Sequence, residues 1–144
     1  MQLIFNQDEE LAAWAETNYP ECSPVPRPFT AIGVASNDGN ILGVAIYHNF
    51  SNNDVEITFV AKTHSRWATK PIIRSLLHYP FYQLGVSRMS AITNKANKKA
   101  RKLLEGLGFK HEGTHPLADG GVRPKISYGL YKDVVAERWF KDVK

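Results

Sequence analysis

The chain predicts an α/β domain: a single mixed, mostly antiparallel sheet of six or seven strands with flanking helices. Three observations predict it. Residues 29–61 hold three runs rich in β-branched and aromatic residues, separated by turn-forming Asn, Asp, Gly and Ser. Residues 71–85 and 97–107 carry helical apolar periodicity, each directly after a β-rich run. The 144 residues, 43% apolar and 22% charged, suit one core, so 1–144 reads as one domain.

Taken in order, residues 6–18 read as a first helix. Asn6 or Asp8 can cap it, acids crowd its first turn, and Leu11, Trp14 and Ala15 share a face. Prolines 20, 24, 26 and 28 then forbid a helix and make residues 19–28 a stiff extended loop. Strands are expected at 29–36 and 41–50 around the Asp38-Gly39 turn, where positive φ is cheap. Ser51-Asn52-Asn53 turns the chain into a third strand, 54–61, completing a meander.

A basic turn (62–70) leads into a helix from Pro71 with Ile72, Ile73, Leu76 and Leu77 on its buried side. Pro80 is expected to break or kink it, and Gly85 to end it. A strand over 86–93 follows. In the next helix Ala100, Leu103, Leu104 and Leu107 form an apolar stripe opposite Lys95, Lys98, Lys99 and Lys102, and Gly108 stops it. Residues 109–114 and 126–131 read as closing strands, with a loop at Asp119-Gly120-Gly121. A helical turn over 134–140 would anchor Trp139 and Phe140.

Composition narrows the function classes. No run approaches the length of apolar residues that a membrane span needs, and the first residues do not read as a signal peptide. The single cysteine, Cys22, excludes an internal disulfide, so a reducing cytoplasmic setting is expected. His48, His64, His78, His111 and His115 show no helical ligand spacing with acids, which predicts no metal. A net charge of +4 favours anionic ligands. The lysine-rich face of 95–102 reads as a solvated helix face, a phosphate patch or a nucleic-acid surface. The last is disfavoured because base-stacking aromatics are absent from it.

A strand, a tight basic turn and a helix N-terminus together present unpaired N–H groups and the positive end of a helix dipole. Residues 54–78 have that layout, and a second strand–helix unit follows. An elongated phosphorylated cofactor lying across two neighbouring strands fits it.

The run Asn97-Lys98-Lys99-Ala100-Arg101-Lys102-Leu103-Leu104-Glu105-Gly106-Leu107-Gly108-Phe109, with Lys110-His111-Glu112-Gly113 after it, resembles the Asn-to-Gly-Phe segment of the GNAT superfamily of acyl-CoA N-acyltransferases. With Tyr128-Gly129-Leu130-Tyr131 and Glu137-Arg138-Trp139, it is most similar to the branch that acetylates ribosomal-protein N-termini. The resemblance spans roughly residues 40–139. It implies acetyl-CoA, with its pantetheine arm between strands 54–61 and 86–93, pairing with backbone near Phe59, Val60 and Ala61. It also implies that pyrophosphate sits on the turn Arg66-Trp67-Ala68-Thr69-Lys70, and that Asn94 and Asn97 flank the arm. Asn is equally a preferred helix N-cap. Trp67 would stack on adenine or pack on the core.

The turn departs from the family pattern, since Thr69 and Pro71 replace small residues and Pro71 has no N–H. Pro still starts a helix well, and Thr69, Arg66 and Lys70 can supply charge-assisted bonds. The tyrosine that some members place seven residues past the asparagine is Leu104 here.

Acetylating a primary amine calls for a base, because the amine is mostly protonated at neutral pH. Glu56 is the candidate, on one face with Thr58 and Val60; a plain surface acid is the alternative. Tyr128 or Tyr131, or a water, would return a proton to the thiolate. The expected activity is acetyl transfer from acetyl-CoA to a primary amine of a protein, peptide or small molecule, without a covalent enzyme intermediate. The rival is a catalytically inactive binding or structural protein on the same fold. The acceptor would lie between the Pro-rich loop and residues 116–123, and a homodimer is compatible.

Overall fold

The computed structural model describes residues 1–142. In chain order the elements are β1 (Gln2–Ile4), α1 (Asp8–Asn18), a single 3-10 turn (Pro20–Cys22), β2 (Phe29–Ala35), β3 (Ile41–His48), β4 (Asp54–Ala61) and α2 (Lys70–His78). There follow β5 (Arg88–Asn94), α3 (Lys98–Leu107), β6 (Lys110–Asp119), β7 (Arg123–Tyr131) and α4 (Lys132–Trp139). The seven strands form one sheet in the order β1-β2-β3-β4-β5-β7-β6. Every neighbouring pair is antiparallel except β4 and β5, which run parallel. The mixed, mostly antiparallel sheet with four helices is therefore the architecture that the sequence predicts.

β3 explains why the sheet is buried on both sides. Val44 and Ile46 point to α1, joining Leu11, Ala12, Ala15 and Val25. Ala45 and Tyr47 point the other way, into a larger core with Leu76, Leu77, Phe81 and Leu130. A strand covered on both faces reads as a continuous apolar run, as Ile41–His48 does. Tyr47 finds its buried partner in the Leu76 carbonyl at 2.6 Å. Gly43 permits a close approach: a Cβ there would stand 2.9 Å from both Phe59 Cζ and the Val60 carbonyl.

Several boundaries differ from expectation. β1 is only three residues long, too short to show alternation, yet it pairs along Gly33–Ala35 of β2. Pro80 does not break the helix after α2. Residues Tyr79–Leu84 continue it as a widened π-type turn, and Gly85 ends it at φ 76°. A wider turn tolerates the missing Pro N–H and relieves the ring's clash with the preceding turn. β6 runs to Asp119 rather than Thr114, so most of residues 116–123 is hairpin strand, not loop. Bulges after His111 and His115 kink this edge strand. The final helix is two turns long, and Trp139 Nε1 donates to the Leu107 carbonyl at the end of α3.

Among the described residues no helix is long and apolar enough to cross a membrane.

Candidate active site

β4 and β5 share three rungs, Asp54↔Arg88, Val55↔Met89 and Glu56↔Ser90, and then part. Beyond Glu56, β4 stays paired with β3, but its other edge faces open space. Backbone N–H and C=O groups in such a position need partners, and an extended amide-containing arm can supply them. The gap is a cleft of about 520 Å³, walled by Ile57–Val60 on one side and Ala91–Asn94 on the other. Its floor includes Ala100, Leu103 and Leu104 of α3. None of the α3 side chains is fully buried, because the strands beneath have separated and left the apolar stripe uncovered. This is the widened slot that a cofactor lying across two neighbouring strands requires.

The basic turn lies where β4 delivers the chain to α2. Trp67 is 8% exposed and packs against Phe59, ring centroids 4.2 Å apart. It lines the inner end of the cleft without filling it. Arg66, Ala68, Thr69 and Lys70 are exposed around the helix N-terminus. The Thr69 hydroxyl makes no capping bond, and Ile73 N–H closes on the Thr69 carbonyl. The first-turn amides of α2 are thus left for an external anion, with Pro71 the one position that offers none.

Phe59 and Val60 line the cleft, whereas Ala61 lies at its end beyond the lining. Asn97 caps α3, its Oδ1 accepting from Ala100 N–H at 3.1 Å, and it borders the cleft as well. Asn94 also borders the cleft, but both its polar ends are engaged: Oδ1 accepts from Ala96 N–H at 2.7 Å and Nδ2 donates to Asp119. It shapes the turn from β5 to α3.

Glu56 sits at the vertex where the strands part, its side chain 21% exposed. Asn49 Nδ2 donates to Oε1 at 2.9 Å, and His48 Nε2 stands 3.8 Å from Oε2. The Pro-rich segment contributes Glu21, Cys22 and Val25 to the lining of the cleft, and the β6–β7 hairpin contributes Asp119 and Lys125. The hairpin pair lies at the Asn94 end of β5, four residues beyond the Glu56↔Ser90 rung. Burial and the nearby acids push the Cys22 thiol up, which argues against a nucleophile there.

The structure does not bring the two tyrosines to this site. Tyr128 faces the helix-covered side of β7, is 1% exposed, and its hydroxyl accepts from Arg101 Nε at 3.0 Å. Tyr131 lies opposite Arg88, on the closed side of the vertex, and its hydroxyl donates to Glu112. Neither lines the cleft. His48, weighed in the sequence only as a metal ligand, is instead a buried cleft residue. A signal was available: the turn centred on Asn52 places positions 48 and 56 opposite each other.

A family profile described as an acetyltransferase (GNAT) domain matches residues 5–110. The chain belongs to the GNAT acetyltransferase family. A search of curated protein sequences returns no match. Among solved structures, this GNAT chain is similar to the spermidine/spermine N-acetyltransferase SpeG from Vibrio cholerae, with 15% identity and a TM-score of 0.73 over 95% of either chain. It is also similar to a GNAT-family acetyltransferase from Bacillus anthracis, with 16% identity and a TM-score of 0.62 over 72% of this chain and 66% of that one. At such identities the likeness is one of fold.

Proposed function

We propose that this GNAT domain transfers an acetyl group from acetyl-CoA directly to a primary amine, with Glu56 as the general base. The observation that carries the reading is the parting of β4 from β5 immediately after Glu56↔Ser90, which sets a carboxylate at the closed end of an open slot.

The residues present fit the cofactor. The free edge of β4 offers peptide groups to the amides of the pantetheine arm, and the uncapped start of α2, with Arg66 and Lys70, offers donors to the pyrophosphate. When bound, acetyl-CoA supplies a thioester carbonyl whose C–S bond breaks as the new C–N bond forms. Glu56, at the closed end of the slot, takes the proton that the amine gives up, the role of a general base. An unpaired N–H on the β4 edge polarises the carbonyl oxygen without a side chain. With Tyr128 and Tyr131 turned away, the departing thiolate is protonated from solvent in this scheme.

The acceptor panel follows from two likenesses. Peptides with free N-termini are included because residues 97–113 and 128–139 resemble the ribosomal-protein branch. Spermidine is included because the structurally similar Vibrio cholerae protein is a spermidine/spermine N-acetyltransferase. Release of free CoA thiol is measured for each acceptor with the native protein and Glu56→Gln. The reading expects turnover with at least one amine and a fall in kcat of about 100-fold or more in the variant, with acetyl-CoA affinity retained. Full turnover in Glu56→Gln removes that residue as the base. Absence of acetyl-CoA binding at millimolar concentration supports the inactive alternative.

A further inference from the structure

The β3–β4 hairpin places His48 directly opposite Glu56. Both side chains leave the sheet on the same face, with Thr58 next along β4. Tyrosines aside, His48 is the one buried polar residue among the described residues, 3% exposed. Its Nε2 lies 2.9 Å from Thr58 Oγ1 and 3.8 Å from Glu56 Oε2, while Nδ1 is enclosed without a hydrogen-bond partner.

Two considerations assign the ring hydrogen. An enclosed N–H with no acceptor is costlier than an enclosed lone pair, and the Glu56 carboxylate favours the hydrogen on the nitrogen nearer to it. Nε2–H therefore donates to Thr58 Oγ1. That bond turns the hydroxyl hydrogen of Thr58 away from the ring, leaving it free to donate elsewhere along the cleft wall that Thr58 also forms.

We propose that His48 is a positioning residue for Glu56 and Thr58: a neutral imidazole that orients the Thr58 hydroxyl and leaves the carboxylate without a cationic partner, so that it stays basic. The proposal rests on the transferase reading above. A protonated imidazole at this distance would form an ion pair with Glu56 and reduce its affinity for a proton, the reverse of what a base needs. Burial holds His48 below the usual histidine range, and the Glu56 charge opposes that displacement. The other charged groups around the hairpin are engaged with partners of their own or stand at the border of the cleft. Arg88 of β5 is bound to Glu112 and Asp54, Glu9 of α1 to Arg27, Asp8 to the Ala31 N–H, and Glu21 and Cys22 border the same cleft.

The first test follows the His48 ring by NMR across pH in the native protein and in Glu56→Gln, with the signal assigned through His48→Gln. The expected result is titration below the usual histidine range, moving lower still in Glu56→Gln, where the favourable charge is gone. An ordinary titration that ignores Glu56→Gln overturns the proposal. The second test is kinetic, using whichever amine is turned over. His48→Gln keeps an N–H donor and removes the titrating ring, so kcat at pH 8 stays within about threefold and the acid limb of its pH profile moves to lower pH. His48→Leu removes the donor, and kcat falls about tenfold with KM for acetyl-CoA within about twofold. An unmoved acid limb in His48→Gln together with full activity in His48→Leu overturns the proposal. Coupling seen by NMR with no turnover of any amine overturns the transferase reading instead, and with it the catalytic use of the pair.

Discussion

Arg88 and Glu112 form a two-point pair, Nη1 to Oε2 at 3.0 Å and Nη2 to Oε1 at 2.7 Å, that reaches across β7 from β5 to β6. The same guanidinium meets Asp54 of β4 at 3.4 Å, and Ser90 Oγ bonds Asp54 at 3.0 Å. Three strands, β4, β5 and β6, are thereby tied together across β7 on the closed side of the vertex, two residues before the last rung that β4 and β5 share. Gly129 is what lets the Glu112 side chain lie flat over β7, since a Cβ there would overlap the carboxylate. Gly129→Ala should displace Glu112 and lose most of a partly exposed ion pair. The expected cost is about 1 kcal/mol, or a Tm roughly 3 to 5 °C lower. In a Glu112→Ala background the same glycine substitution should be neutral or mildly stabilising, because the clash is gone. Thermal unfolding of the four proteins checks it, and additive effects refute the arrangement.

The same pair predicts a pH dependence. Hydrogen bonds from Arg88 and then from Tyr131 hold the Glu112 carboxyl below the usual carboxylate range. A depressed folded pKa contributes stability that is fully present above the unfolded value, about 4.3, and is lost as pH falls through the folded value. Urea midpoints of the native protein and Glu112→Gln should therefore differ at pH 7 and converge towards pH 3. A difference that stays constant over that interval would mean that Glu112 carries no such linkage.

The parts of this molecule that were readable in the sequence are those fixed locally. Asp54–Ala61 matches its expected bounds because alternation and flanking turns are short-range signals, and Asn97 and Gly108 mark both ends of α3 through capping chemistry. The strand–turn–helix order pointed to an anion site, and the resemblance to the GNAT superfamily implied the slot between the strands. What escaped depends on distant pairing. Insertion of β7 between β5 and β6 decides that Tyr128 enters the helix-covered core and that Tyr131 meets Arg88, and no spacing along the chain reveals it. His48 is a different case: its pairing with Glu56 is a local hairpin register set by the turn at Asn52, and it escaped because histidines were weighed only for helical metal-ligand spacing. Pro80 misled because a widened turn can absorb a proline that a regular α-helix would not.

The turn before α2 bears on cofactor binding in a separable way. Thr69 and Pro71 stand where the family pattern has small residues, so the proposed pyrophosphate site relies on the Arg66 and Lys70 side chains beside the remaining backbone amides. Arg66→Ala and Lys70→Ala should each raise KM for acetyl-CoA about three- to tenfold and leave kcat nearly unchanged, since the groups lie at the far end of the slot from Glu56. Affinity of the native protein should also weaken with added salt, and more steeply than that of either variant, because the two charges removed are exposed. Steady-state kinetics over acetyl-CoA concentration decides it. An unchanged KM in both variants would place the pyrophosphate elsewhere.

The uncovered stripe of α3 offers the most direct test of occupancy. Ala100 borders the cleft on the first turn of the helix, half-buried and with open space before it. Ala100→Phe should fill part of the slot rather than strain a packed core, since no α3 side chain is fully buried. The helix tolerates the change at a propensity cost of roughly 0.5 kcal/mol, which newly buried ring surface offsets. Stability should therefore hold, with Tm within about 3 °C of the native protein, while acetyl-CoA affinity falls at least about tenfold as the ring takes the volume of the pantetheine arm. Calorimetric titration with acetyl-CoA measures the second quantity and thermal unfolding the first. Undiminished binding in a stable Ala100→Phe protein would show that the arm does not run between β4 and β5, and the role given to Glu56 at the vertex would lose its footing.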